Sequence, residues 1–175
     1  GQGTAGPDTG IIDLTESIDL VKGLEARGAN FILESTGNPS VTMELHMPER
    51  GKPDDVYLHF TMAKIIKENV GPDVVVMGGA YSVLNNGKNF LKAVQPEWNS
   101  LFHWGNYNIE HGYADMVALG RQSLADPKLP AKYLEDREDE IKWCVACDKC
   151  VELLIRQENV GCAAHYREYT DILRK

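Results

Sequence analysis

Four cysteines, Cys144, Cys147, Cys150 and Cys162, fall within nineteen residues, and the sequence has no others. The first three are separated by two residues each, so one tight loop can aim three sulfurs at a common point. Cys162 can return from the far end of a short helix. A C-x2-C-x2-C run with a remote fourth cysteine suits a cubane [4Fe–4S] cluster, in which each thiolate takes one iron. Structural zinc is the competing reading. Zinc sites more often join two C-x2-C knuckles over a longer spacer or combine Cys with His, and His165 stands just past Cys162. Disulfides fit least, because no secretory signal is visible and such closely spaced thiols strain a bridge. The spacing favours iron–sulfur over zinc, and zinc over disulfides.

Two other places suit an anion. Gly78-Gly79 follows an apolar run and removes two side chains, so backbone N–H groups can approach a ligand closely. Gly120-Arg121 follows a second such run and adds a guanidinium whose planar fork can grip phosphate at two points. Gln122 to Ala125 then reads as a turn or helix start with its N–H groups pointing the same way. Taken singly, each has a plainer explanation: a tight turn at Gly78-Gly79 and a surface ion pair at Arg121. Two such ends on neighbouring strands weigh equally for an anion site.

The elements that must position these residues alternate. Asp13-Leu-Thr-Glu16 reads as a capping box opening a helix with Leu14, Ile18, Val21 and Leu24 at helical spacing, stopped at Gly28. A short buried strand over Ala29–Glu34 follows, then a polar turn from Ser35 to Pro39. Met43 to Asp55 is an aperiodic excursion. Tyr57 to Val70 is helical, and Asp73 to Met77 is a β-branched strand of the kind that a sheet covered on both faces requires. Ser82 to His103 reads as an insertion, Asn106 to Tyr113 as a helix and Ala114 to Leu119 as a third strand. A charged helix over Leu129–Ile141, the cysteine loop, a helix over Val151–Asn159 and a helical tail complete the chain. Strand and helix alternating three times specify α/β architecture with parallel strands. The expected division is 1–141 for the α/β part and 142–175 for the cysteine segment.

The chain has 175 residues, 43% of them hydrophobic, and a net charge of −8. That balance argues against a general nucleic-acid or anionic-membrane surface. No apolar run approaches the ~20 residues of a membrane span. Reduced thiols without a secretory signal suggest a cytoplasmic setting, and Gly1 in place of Met suggests a natural start further upstream. The aromatic cluster Trp98, Phe102, His103 and Trp104 reads as local packing. His46, His59 and His111 read as structural or exposed, and Glu135 to Glu140 as a solvated helix face.

The run Ala114-Asp-Met-Val-Ala-Leu-Gly-Arg-Gln-Ser-Leu-Ala-Asp-Pro127, then Leu-Pro-Ala-Lys132, then the cysteines, resembles the C-terminal barrel segment of the old yellow enzyme family. The nearest branch is the iron–sulfur one that includes 2,4-dienoyl-CoA reductase and trimethylamine dehydrogenase. This order of motifs spans about a third of the chain; Asp13 to Gly37 and Val74 to Gly79 fit the family more loosely. The resemblance implies the C-terminal part, about three βα units, of a (β/α)8 TIM barrel holding FMN. The FMN phosphate would lie on Gly78, Gly79, Gly120 and Arg121, and Cys144, Cys147, Cys150 and Cys162 would hold a [4Fe–4S] cluster. Two features depart from the family pattern: only Asp148 and Lys149 separate the second and third cysteines, and the first glycine pair continues as Ala80-Tyr81 without a polar residue.

By the same resemblance, the intact enzyme takes reducing equivalents from NAD(P)H and passes hydride from FMN to an activated C=C bond of an enone or enoate. The family's flavin-ring contacts, substrate-anchoring pair and proton donor belong to earlier strands, so no catalytic residue is assigned here. A TIM barrel runs to roughly 250 residues, so the 175-residue chain alone is expected to be inactive and to need the remainder of the barrel, or another copy, against its open edges. The alternative from a different class is a zinc- or cluster-bearing assembly module without catalysis of its own.

Overall fold

The computed structural model describes residues 4–5, 12–35, 53–84 and 99–175. Two short antiparallel strands, β1 (Thr4–Ala5) and β2 (Ile12–Asp13), precede helix α1 (Thr15–Glu25). The capping box is displaced by one residue. Leu14 is the N-cap, and the Asp13 carboxylate instead accepts the N–H and hydroxyl of Thr15. The chain leaves α1 through Gly28, whose φ of +93° is costly for any residue with a Cβ.

A three-stranded parallel sheet follows: β3 (Phe31–Leu33), β4 (Val75–Gly78) and β5 (Met116–Val117), in that spatial order. Helix α2 (Pro53–Glu68) crosses from β3 to β4, and α3 (Leu101–Glu110) lies between β4 and β5. The polar turn after Ser35, most of the Met43–Asp55 excursion, the segment 85–98 with Trp98, and His46 lie outside the described residues. Leu33 pairs with Met77 and Met77 with Met116, so the three strand exits stand side by side. The α/β parallel architecture expected from the alternation is present.

The sheet differs from expectation in how it is covered. Ile32 and Val76 pack on Val21 of α1 and Ile66 of α2, and Val76 is wholly buried. Such burial stabilises by about 1.5–3 kcal/mol per side chain. The opposite face, with Phe31 and Leu33 about half exposed and Met116 similar, is not covered among the described residues. Period-2 alternation turns Ile32 toward α1 and α2 and sends Phe31 and Leu33 to the other face of β3.

Helix α3 begins five residues earlier than its apolar pattern suggested, capped by the Ser100 hydroxyl, which accepts the His103 N–H. Phe102 and Trp104 thus ride on a helix and pack beside Tyr57, Phe60 and Trp143. The helix expected over Leu129–Ile141 is broken into α5 (Leu129–Leu134) and a 3-10 turn, Glu138–Glu140, by left-handed Asp136. One core unites Val56 and Phe60 of α2, Tyr81, Val83, Leu84, Leu101, Leu129, Ile141 and Trp143. That core carries the cysteine segment onto the α/β layer. Helices α6 (Lys149–Ile155) and α7 (Arg167–Leu173) close the chain. Among the described residues no helix is long and apolar enough to cross a membrane.

Candidate functional site

All four cysteines line one small hollow, together with Arg121, Leu124, Val145, Asp148 and Ala163. All are free thiols. The empty space in and around the hollow is about 300 Å³. The loop between Cys144 and Cys150 turns through two left-handed residues, Ala146 (φ 47°) and Asp148 (φ 55°). One left-handed residue falls in each of the two gaps between successive cysteines, and each turns the chain between them. Cys150 then sits on the first turn of α6.

The loop is fastened from behind by the short helix α4 (Arg121–Ala125). Gln122 is completely buried; its Oε1 accepts the Cys144 N–H at 2.8 Å, and its Nε2 donates to the Lys142 carbonyl at 3.0 Å. One turn on, Asp126 accepts the N–H groups of Lys142 and Lys128 and the ammonium of Lys132 at 2.6 Å. On the far side, His165 Nε2 lies 2.8 Å from the Trp143 carbonyl, so His165 is bound to the backbone and does not line the hollow.

Burial pushes the Cys144 thiol up, against the Ala146 N–H and the Arg121 charge, which favour the thiolate. Burial likewise raises Cys150, again opposed first by Arg121. Bare thiolates are disfavoured here, and a positively charged occupant would relieve that cost. Among the described residues no three His, Cys, Asp or Glu side chains form a group that could hold a single metal ion. Four thiols around one hollow are a donor set that suits either a polynuclear cluster, in which each iron takes one thiolate, or a single tetrahedral zinc.

The second hollow opens at the strand exits. It is lined by Leu33, Glu34, Ser35, Gly79, Ala80, Ser82, Ala118, Gly120, Arg121 and Val151 around about 790 Å³ of empty space. Gly79, Gly120 and Arg121 line this one hollow, just beyond the ends of the adjacent parallel strands β4 and β5. Gly78 does not line the hollow. It is the last residue of β4, and a Cβ there would touch Ala114 and Tyr81. A Cβ on Gly120 would meet nothing within 4 Å, so that position keeps open space at the hollow's wall.

The pattern of strands and motifs missed Glu34. Its carboxylate is buried at the end of β3, where Oε2 accepts the Gly79 N–H at 3.0 Å and Oε1 lies 3.0 Å from His59 Nδ1. The Gly79 amide is thus already engaged by a carboxylate, and Arg121 is the cationic side chain that lines this hollow. A charged residue closing an apolar strand was the available signal for Glu34. For His59, also buried, no local signal existed, because its partner lies 25 residues away.

Arg121 lines both hollows, and its Nη1 is 2.7 Å from Asp148 Oδ1. Val151 lines the strand-end hollow and its neighbour Cys150 the cysteine hollow, so the two spaces share a wall.

Comparison with known proteins gives redox relatives. The chain is 28% identical over 154 residues to a cinnamate reductase of Clostridium sporogenes, covering 87% of this chain and 20% of that protein. It is 26% identical over 150 residues to a bilirubin reductase of Mediterraneibacter gnavus, covering 85% and 20%. A shorter stretch of 64 residues is 39% identical to an N,N-dimethylglycine/sarcosine dehydrogenase of Chromohalobacter salexigens, covering 35% and 9%. The chain thus spans about a fifth of the length of the two reductases. No family profile matches it. It is similar to segments of oxidoreductases.

Proposed function

We propose that this chain is the C-terminal barrel portion and cluster loop of an NAD(P)H oxidoreductase that uses FMN and a [4Fe–4S] cluster to reduce activated C=C bonds of the enone or enoate type. The observation that carries the reading is the junction at Arg121. A hollow ringed by four free cysteines and a hollow at the exits of adjacent parallel strands meet at one guanidinium. Ligands in parallel α/β folds bind at such strand exits.

In this reading Cys144, Cys147, Cys150 and Cys162 hold the cluster, and Arg121 with the Gly120 backbone holds the FMN phosphate. Gly79 contributes closeness, not a donor, because Glu34 takes its amide. Bound flavin supplies hydride transfer and the cluster supplies single-electron transfer. The residues of this chain bind and orient: Gln122 and Asp126 fix the loop, and Leu124, Val145 and Ala163 give the cysteine hollow apolar walls. The face with Phe31, Leu33 and Met116, uncovered among the described residues, is the side that the remainder of a barrel, or a second copy, would cover. The 175 residues by themselves would not turn over substrate.

Iron, acid-labile sulfide and FMN analysis of the anaerobically purified intact protein tests this. Four irons and one FMN per chain are expected, with NAD(P)H-dependent reduction of an enoate such as cinnamate. A colourless protein carrying stoichiometric zinc would instead establish the assembly-module alternative.

A further inference from the structure

We propose that Arg121 is a counter-charge shared by the two hollows, and that its ion pair with Asp148 links phosphate occupancy of the strand-end hollow to the reduction potential of the cluster. This rests on the functional reading above and adds to it a coupling between the two sites.

The placement is specific. Arg121 is largely buried, with 15% of its side chain exposed, so its charge is poorly screened. Asp148 stands between Cys147 and Cys150, in a left-handed conformation, immediately before the helix that carries Cys150. The salt bridge therefore ties the wall of one hollow to the ligand loop of the other. A guanidinium has five N–H donors, and Asp148 engages it through Nη1. A phosphate entering from the strand-end side meets the same group and competes with Asp148 for it.

The sign follows from charge. One electron from the titrant enters the cluster and makes it more negative by one unit. An Arg121 charge not offset by phosphate favours that reduced state. A phosphate dianion on Arg121 offsets it and lowers the midpoint potential. Replacing Asp148 by a neutral residue removes a negative charge beside the ligands and raises the potential. Coupling between sites is reciprocal, so FMN binds more tightly to the oxidised than to the reduced protein. A tenfold difference in FMN affinity corresponds to ~59 mV for a one-electron couple.

The test uses the intact protein, prepared anaerobically with its cluster retained and its flavin removed. The cluster is titrated with dithionite and followed by electron paramagnetic resonance at constant ionic strength, in chloride alone, with inorganic phosphate, and with FMN. Phosphate and FMN are each expected to lower the midpoint of the unaltered protein. Asp148→Asn, which keeps an acceptor for Arg121 and tolerates a positive φ, should raise the midpoint in chloride and tighten phosphate binding severalfold. Arg121→Gln should abolish the response to phosphate. A cluster-loaded, FMN-binding protein whose midpoint ignores both phosphate and Asp148→Asn overturns the coupling and leaves the functional reading standing. So does an Asp148→Asn protein that loses iron while its remaining clusters titrate as before, which would mark a purely structural role. A protein without iron overturns both.

Discussion

Gln122 Oε1 accepts the backbone N–H of Cys144 at 2.8 Å, inside a site from which both groups are shielded from water. The same side chain donates to the Lys142 carbonyl, so one amide fills the backbone valences on either side of Trp143. The first cysteine of the loop is thereby held in register with the helix that begins at Arg121.

Gln122→Leu should keep the volume but strand that N–H and carbonyl. Each buried unsatisfied group costs about 1–3 kcal/mol. A fall in the urea midpoint together with a lower iron content per chain is expected; unchanged stability would show that the loop finds other partners.

The two hollow-lining glycines should respond differently to a methyl group. At Gly79 a Cβ would sit 2.8 Å from the Glu34 carbonyl oxygen, a backbone atom that cannot swing aside. Gly79→Ala should therefore destabilise the fold, by about 1–3 kcal/mol for an overpacked site. At Gly120 a Cβ meets nothing within 4 Å, so Gly120→Ala should fold normally and lose FMN affinity instead. Thermal unfolding and flavin-fluorescence titration of the pair separate these effects.

Cys162 is the hollow-lining cysteine most remote in sequence, and Cys162→Ser should show whether it belongs to the proposed ligand set. Loss of the iron–sulfur visible absorption with a retained fold is expected. Full iron and sulfide content in that variant would remove Cys162 from the cluster.

Asp126 should set an acid limb of stability. Burial alone would push its carboxyl up, but the hydrogen bonds from Lys132 and from the Lys142 and Lys128 N–H groups outweigh it and hold the group below its ordinary value. A lowered folded-state pKa means that the stabilisation is full above the unfolded value of about 3.9 and is lost as the pH falls through the folded value. Urea midpoints measured from pH 7 downward should drop more steeply below about pH 4 in the unaltered protein than in Asp126→Asn, where that linkage is absent. Parallel curves would deny the ion pair with Lys132 this role.

Sequence alone determined what depends on neighbours along the chain. Cysteines two residues apart must share a loop, and the Val-rich run before Gly78 must be a strand, because backbone reach and side-chain period are local properties. The alternation of apolar runs with helical patterns likewise required parallel strands. Packing decided the rest. Gln122 meets Cys144 across 22 positions, and Glu34 takes the Gly79 amide across 45. Ser100 extends α3 back over residues whose apolar pattern was too irregular to show a helix. Arg121 could be read as an anion-binding residue from its place after a strand and a glycine. That it also faces the cysteines follows only from the position of Asp148, 27 residues on, where a left-handed turn brings a carboxylate to its guanidinium. Partners so far apart are chosen by the shape of the whole core, which no local pattern of residues encodes.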